Sequence, residues 1–309
     1  MKDVSSKRKV VIASAFILIV LVVVGIFASH PKKATSDTTL QVVAGENSWG
    51  SLVSQIGGSK VHVTSVVSDP NADPHEYESN ATDARDVATA NYVILNGAGY
   101  DTWGNKLISA SPNSNRRVLI VANLLGKKEG DNPHFWYNPS YVNKVIAQME
   151  KTLISLEPSN ASYFKQQYKN LQGSLSGYQN RIASIKKQFG GVKVAATEDI
   201  FAYLANAAGL NLVSPLAFTE AVAEGNDPPA SSVVQFQQQL QSGQVKALVY
   251  NEQTVTPLTT SMKVIAAEQN IPVVGVTETI QPPDTTFQDW MNSELINLEN
   301  ALNANALGQ

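Results

Sequence analysis

Residues 161–189 read ASYFKQQYKNLQGSLSGYQNRIASIKKQF. Apolar side chains recur along this stretch at threes and fours: Tyr163, Phe164, Tyr168, Leu171, Leu175, Tyr178, Ile182 and Ile185. That spacing gathers them on one face of a single helix. Gly173 and Gly177 fall in its middle, where glycine weakens a helix. Even so, the pattern spans more turns than an ordinary globular helix. On either side of it, apolar runs of strand length alternate with helical stretches. Before it, strands are expected at 40–44, 61–67, 92–95 and 118–121, with helices at 49–56, 81–90 and 103–109. Ser140 is the expected cap of a further helix running to about residue 156, which Pro158 ends. After it, strands are expected at 192–196, 212–213, 245–250 and 273–276. The helices there are expected at 200–208, closed by Gly209, and at 232–240, 258–268 and 287–302. Strand-helix alternation points to parallel sheets with helices on both faces. Two alternating blocks around one long helix predict an α/β fold of two lobes, each a mainly parallel sheet, bridged by a rod. The boundaries are 39–157 for the N-terminal lobe, 158–190 for the bridging helix and 191–309 for the C-terminal lobe.

The start of the chain reads differently. Lys7-Arg8-Lys9 precedes an unbroken apolar run from residue 10 to residue 28. That is close to the ~20 residues a bilayer span needs, and the basic residues ahead of it put the N-terminus in the cytoplasm and the remainder outside. Residues 1–28 are therefore expected to anchor the protein as an uncleaved helix. A signal cleaved near Ala28 or Ser29, with a secreted product, is the alternative. Residues 29–38 are polar and basic, contain Pro31 and read as a tether. His30, just beyond the apolar run, is a bystander.

A net charge of −3, with no basic stripe interleaved with aromatics, gives no sign of nucleic-acid binding. The chain has no cysteine, which excludes disulfides, thiolate metal sites and cysteine nucleophiles. Any metal must be held by nitrogen and oxygen. Of the four histidines, His30, His62, His75 and His134, two directly follow a proline: Asp73-Pro74-His75-Glu76 and Asn132-Pro133-His134-Phe135-Trp136. Proline stiffens its own backbone and the residue before it, so each imidazole hangs from an ordered loop, which suits a transition metal.

In open α/β sheets ligands bind beyond the carboxyl ends of the strands. His75 follows the strand at 61–67, His134 the strand at 118–121, Glu198 the strand at 192–196 and Glu278 the strand at 273–276. A cleft between the lobes could close two imidazoles and two carboxylates on one ion. The carboxylates would neutralise a divalent charge, which matters where burial is costly. Such ligands suit zinc, manganese or iron better than copper(I) or calcium. Plainer readings compete. His62 lies within a strand and reads as structural. His75 and His134 can instead cap backbone groups, and a glutamate after a strand is ordinarily a solvated helix-start acid. Glu252 follows the strand at 245–250 and competes with both glutamates, while Asp69, Asp73 and Glu76 compete near His75. Trp103 and Trp136 read as packing residues, and the Gln-rich residues 235–241 as a solvated helix face.

From residue 40 onward the chain resembles the metal-receptor subunits of bacterial zinc and manganese ABC importers. Asp73-Pro74-His75-Glu76-Tyr77-Glu78 resembles the first histidine motif of that family, and Asn96-Gly97-Ala98-Gly99-Tyr100-Asp101-Thr102-Trp103 its Gly-aromatic-acid-x-Trp segment. Asn132-Pro133-His134-Phe135-Trp136-Tyr137-Asn138-Pro139 is similar to the second histidine motif, which usually begins with Asp. Glu198-Asp199-Ile200-Phe201-Ala202-Tyr203 resembles the manganese-type third ligand segment, and residues 245–252 the strand ending in an acid. Thr277-Glu278-Thr279 stands where Thr-Asp-Ser is typical. The resemblance implies two α/β lobes with a metal between them, held by His75, His134, Glu198 and Glu278. It also implies a monomeric, non-catalytic receptor that delivers its ion to an ABC permease driven by a cytoplasmic ATPase. Manganese is slightly favoured over zinc, with ferrous iron third, although zinc outcompetes manganese at nitrogen and oxygen ligands.

Three departures stand out. Many relatives are lipoproteins attached through a cysteine that this chain lacks; an uncleaved N-terminal helix would explain retention at the membrane instead. The histidine-rich loop of many zinc-type relatives is missing from residues 125–132. Asp101 stands where glutamate is common. A metal-dependent hydrolase using the same site is the competing reading, but neither a His-Glu-x-x-His motif nor a Gly-x-Ser-x-Gly elbow occurs. Surface adhesion, suggested for some relatives, is a third.

Overall fold

The rod is one helix, Ala161–Phe189, burying Phe164, Leu171, Leu175, Tyr178, Ile182, Ile185 and Phe189 along one face. A computed structural model of the chain describes residues 39–307 apart from Ala72. The expected anchor (1–28) and tether (29–38) lie outside the described residues. The apolar face of the rod packs along helices from both alternating blocks: Asn47–Gly57 and Pro139–Leu156 from the first, Phe287–Leu307 from the second. Gly173 and Gly177 lie on the exposed side, where an added Cβ meets nothing. Gly173→Ala and Gly177→Ala are therefore each expected to stabilise the protein by about 0.5–1 kcal/mol through helix propensity alone. A urea midpoint that rises without a change in slope is the expected result; a lower midpoint would contradict it.

Eight strands lie among the described residues: β1 Leu40–Glu46, β2 Val61–Val67, β3 Tyr92–Leu95, β4 Arg117–Ile120, β5 Lys193–Ala196, β6 Asn211–Leu212, β7 Leu248–Asn251 and β8 Val273–Val276. They form two four-stranded sheets, ordered β2-β1-β3-β4 and β6-β5-β7-β8. Every pairing is parallel. Helices cover both faces of such sheets, which is why the inner strands read as apolar runs; all four residues of β3 and of β7 are buried. In both sheets the strand order reverses beside the first strand of the block (β1 and β5), the arrangement that opens a crevice at the carboxyl ends.

The lobes share one continuous apolar core, which runs from Val42 and Trp49 through Leu171 and Tyr178 to Val249 and Trp290. Buried hydrogen bonds also cross between them: Tyr137 Oη donates to the Thr277 carbonyl at 2.8 Å, and the Ile280 N–H to Asn47 Oδ1 at 3.0 Å.

Four local readings are corrected. Val121 does not end β4 but opens a short helix, Val121–Leu125. The helix assigned to a Ser140 cap begins at Pro139; its cap is Asn138, whose side chain accepts from the Ser140 and Tyr141 N–H groups, with proline at the first helical position. The helix expected from residue 200 opens as a tight turn, Asp199–Phe201, before Ala202–Ala207. β7 begins at Leu248 and runs one residue further than expected, to Asn251.

Candidate metal centre

The two Asx-Pro-His motifs fold alike. Asp73 Oδ1 accepts from the His75 N–H at 2.9 Å, and Asn132 Oδ1 accepts from the His134 N–H at 2.9 Å. The side chain two residues ahead of each histidine thus closes a turn over the proline, which aims both rings at the same cleft. The second loop is also tied to the opposite lobe: Asn132 Nδ2 donates to the Asp199 carbonyl at 2.6 Å, and Tyr203 Oη to the Asn132 carbonyl at 2.9 Å.

His134 is fully buried. Its Nδ1 lies 3.0 Å from Asn132 Oδ1 and 3.3 Å from Asp199 Oδ1. Both neighbours are acceptors, so Nδ1 carries the proton and Nε2 is left as the metal donor of the neutral ring. That Nε2 lies 3.4 Å from Glu278 Oε2, and His75 Nε2 lies 3.3 Å from the same oxygen. Glu278, fully buried, is placed by the loop after β8. The carboxamide oxygen of Gln253 accepts from the Glu278 N–H at 2.6 Å and from the Thr279 N–H at 3.0 Å. Asn251 Nδ2 donates to Glu278 Oε1 at 2.8 Å, and Tyr100 Oη to Oε2 at 2.7 Å. Tyr100 reaches the site from a loop in which Gly97, Ala98 and Gly99 all have positive φ, a conformation that favours glycine.

Of the four residues singled out from the sequence, the structure brings three together. His75, His134 and Glu278 each offer a donor atom within 4.8 Å of the others. Glu198 is fully buried at the end of β5 but stands apart from this group, with Asn251 Nδ2 reaching its Oε2 at 2.8 Å. The competitors fall away. His62, Asp69, Glu76 and Glu252 are exposed, and Asp73 serves as the cap of the His75 turn. Trp136 packs edge-on against His134 and Tyr100, and Trp103 against Tyr77, the packing roles expected. Sequence reasoning does not single out Tyr100, Asp199 or Asn251 as site residues. Asn251 is the last residue of β7, a strand end like those before the two glutamates, whereas Tyr100 stands five residues beyond β3.

Charges are balanced by protons. Burial would raise the Glu278 carboxyl, yet the His75 and His134 imidazoles hold it well below the usual range. Burial would lower His134, but the Asp199 and Glu278 carboxylates outweigh it and push its pKa up to about 10. His75 is likewise raised, by Glu278 against burial. Glu198 is pushed up to about 7, first by burial and then by the Glu278 charge. A protonated His134 ring thus stands where a cation's charge would. The donors also fit a metal by what they lack: Glu198 Oε1 is buried without a hydrogen-bond partner, and His75 Nε2 and His134 Nε2 have only the shared Glu278 oxygen, at 3.3 and 3.4 Å, a costly state that a cation would relieve. A cavity of about 570 Å³ opens beside His75 and Tyr100, with Glu129, Asp131, Asp199, Glu220 and Glu224 in its wall. An acid-lined approach of this kind concentrates cations.

Residues 42–301 match the family described as zinc-uptake complex component A, periplasmic (ZnuA). Among characterised relatives, the manganese ABC transporter substrate-binding lipoprotein PsaA of Streptococcus anginosus is 26% identical over 264 residues, covering 80% of this chain and 82% of that protein. The fold is similar to that of the periplasmic zinc-binding protein TroA from Treponema pallidum, with a TM-score of 0.71 and 17% identity over 86% of this chain and 99% of that one. It is also similar to the manganese-bound periplasmic metal-binding protein of Candidatus Liberibacter asiaticus, with a TM-score of 0.69 and 19% identity over 84% and 98% of the two chains. Since the match runs from within β1 into the last helix, through both sheets and the rod, the chain belongs to the ZnuA family of metal-uptake components.

Proposed function

We propose that this chain captures a divalent transition-metal ion, zinc or manganese, between its lobes and delivers it to an ABC permease and its cytoplasmic ATPase. His75 Nε2, His134 Nε2, an oxygen of Glu278 and Glu198 Oε1 are the ligands. The observation that carries the reading is the convergence of donor atoms of His75, His134 and Glu278 within 4.8 Å of one another, beside an acid-lined cavity that His75 borders. Two carboxylates and two neutral imidazoles would leave the loaded site formally uncharged, which suits its burial. Capture takes place outside the cytoplasmic membrane by a monomeric protein. Because the chain has no cysteine to lipidate, the basic and apolar residues 1–28 hold it at that surface. The hydrolase alternative is set aside, because the family consists of uptake components rather than enzymes.

Elemental analysis of full-length protein purified without added metal, with parallel titrations of zinc and manganese, tests the reading. One tightly held ion per chain is expected, lost in the His75→Ala variant. Binding of neither metal, or undiminished binding by that variant, would refute it.

A further inference from the structure

The C-terminal sheet is ordered β6-β5-β7-β8, so β7 lies between the two strands whose following loops carry Glu198 and Glu278. Asn251 is its last residue and fully buried. Its Nδ2 donates to Glu198 Oε2 and to Glu278 Oε1, each at 2.8 Å, with Thr254 Oγ1 at 3.2 Å as a third neighbour. Its Oδ1 accepts from the Gln253 N–H at 3.0 Å. Ionised carboxylates only accept, and the backbone N–H only donates, so the amide has one orientation. Both of its N–H bonds are spent on carboxylates. Each carboxylate then has one oxygen turned to Asn251 and one that Asn251 does not hold. For Glu198 the other oxygen, Oε1, is buried and unpartnered; for Glu278 it is Oε2, which accepts from Tyr100 Oη at 2.7 Å and faces both imidazoles.

We propose that Asn251 is a positioning residue that sets metal selectivity by making both carboxylates offer a single oxygen. The inference rests on the capture reading above and deepens it. With one oxygen of each glutamate turned to Asn251, the protein presents four donors, two nitrogens and two oxygens. Zinc is satisfied by four ligands of this kind, whereas manganese favours six, rich in oxygen. Released from the amide, a carboxylate can present both oxygens, and that gain falls mainly to manganese. A neutral donor suits the task. A lysine at the same place would orient the carboxylates but spend on its own charge the attraction meant for the ion.

The test is titration of full-length wild-type protein, Asn251→Ala and Asn251→Leu with zinc alone and with manganese alone. X-ray absorption on the zinc-loaded wild type accompanies it. Loss of an outer hydrogen bond to a ligand typically costs about 10–100-fold in metal affinity. The ratio of the manganese to the zinc dissociation constant is therefore expected to fall by about tenfold or more in both variants, with zinc binding the more weakened. The wild-type zinc site should show four nitrogen or oxygen neighbours. If both metals weaken by the same factor, Asn251 is merely structural and the proposal fails while the capture reading stands. If neither metal binds the wild type, both fail together. Should neither variant fold, as judged by circular dichroism, the absorption spectrum decides: five or six neighbours around zinc overturn the proposal, and four uphold it.

Discussion

His134→Ala is expected to weaken zinc and manganese binding by roughly 10²–10³-fold. Zinc sites with four protein ligands are worth about 10–16 kcal/mol, or roughly 3 kcal/mol per ligand, and about 1.4 kcal/mol corresponds to a factor of ten. His134 does more than donate. Its ring is fully buried, packs against Trp136 and sits between Glu278 and Asp199. Removing it takes away a ligand and leaves Glu278 facing a single imidazole, so the loss should fall at the upper end. His62→Ala is the control, since His62 is exposed on β2 and should bind both metals as the wild type does. Competition against a chromophoric chelator measures both, with thermal unfolding of the metal-free proteins confirming the fold. Unchanged affinity in His134→Ala would remove His134 from the site.

Metal affinity is also expected to rise about 100-fold between roughly pH 6 and pH 8, because ligands must shed their protons to bind. In the metal-free protein His134 titrates at about 10, so it is protonated throughout that window and releases one full proton on binding. His75, raised by Glu278, and Glu198, at about 7, release further fractions. The sign follows from linkage: protons favour the empty site, metal favours the deprotonated one, and log affinity climbs by at least one unit for each unit of pH. Capture therefore weakens in acid. Calorimetry in buffers of different ionisation enthalpy counts the protons directly. At least one per metal is expected; a count near zero, with affinity flat in pH, would contradict a site whose His134 ring is held protonated by Asp199 and Glu278.

The features that follow from periodicity are legible in the sequence. The long helix matches the periodic stretch 161–189, and β2, β3 and β8 match their expected spans. A long 3.6-residue pattern and short apolar runs bounded by turn residues leave little freedom. The helix Leu216–Ala223 escapes such reading because no single stripe marks it: Phe218, Val222 and Ala223 are buried while Leu216 is 65% exposed. Ser140 and Asn138 are both good caps, and spacing alone does not choose between them.

The site divides in the same way. Proline-stiffened loops and the strand-end rule bring His75, His134 and Glu278 forward as candidates against plainer readings, and the family resemblance raises them; the structure places the three together. Glu198 lies at the expected strand end, but its link to Glu278 runs through Asn251, by two hydrogen bonds between neighbouring strands. Tyr100 is similar, since its contact with Glu278 spans 178 residues of sequence. Partnerships of that kind are set by packing and leave no local pattern to read.

The most direct test of the central claim is anomalous diffraction from crystals soaked in zinc or manganese. A single strong peak is expected between the lobes, within coordination distance of His75 Nε2, His134 Nε2 and one oxygen each of Glu198 and Glu278. A peak held instead by the acids of the outer cavity, such as Glu129, Asp131 and Glu220, with those four side chains left unengaged, would contradict it.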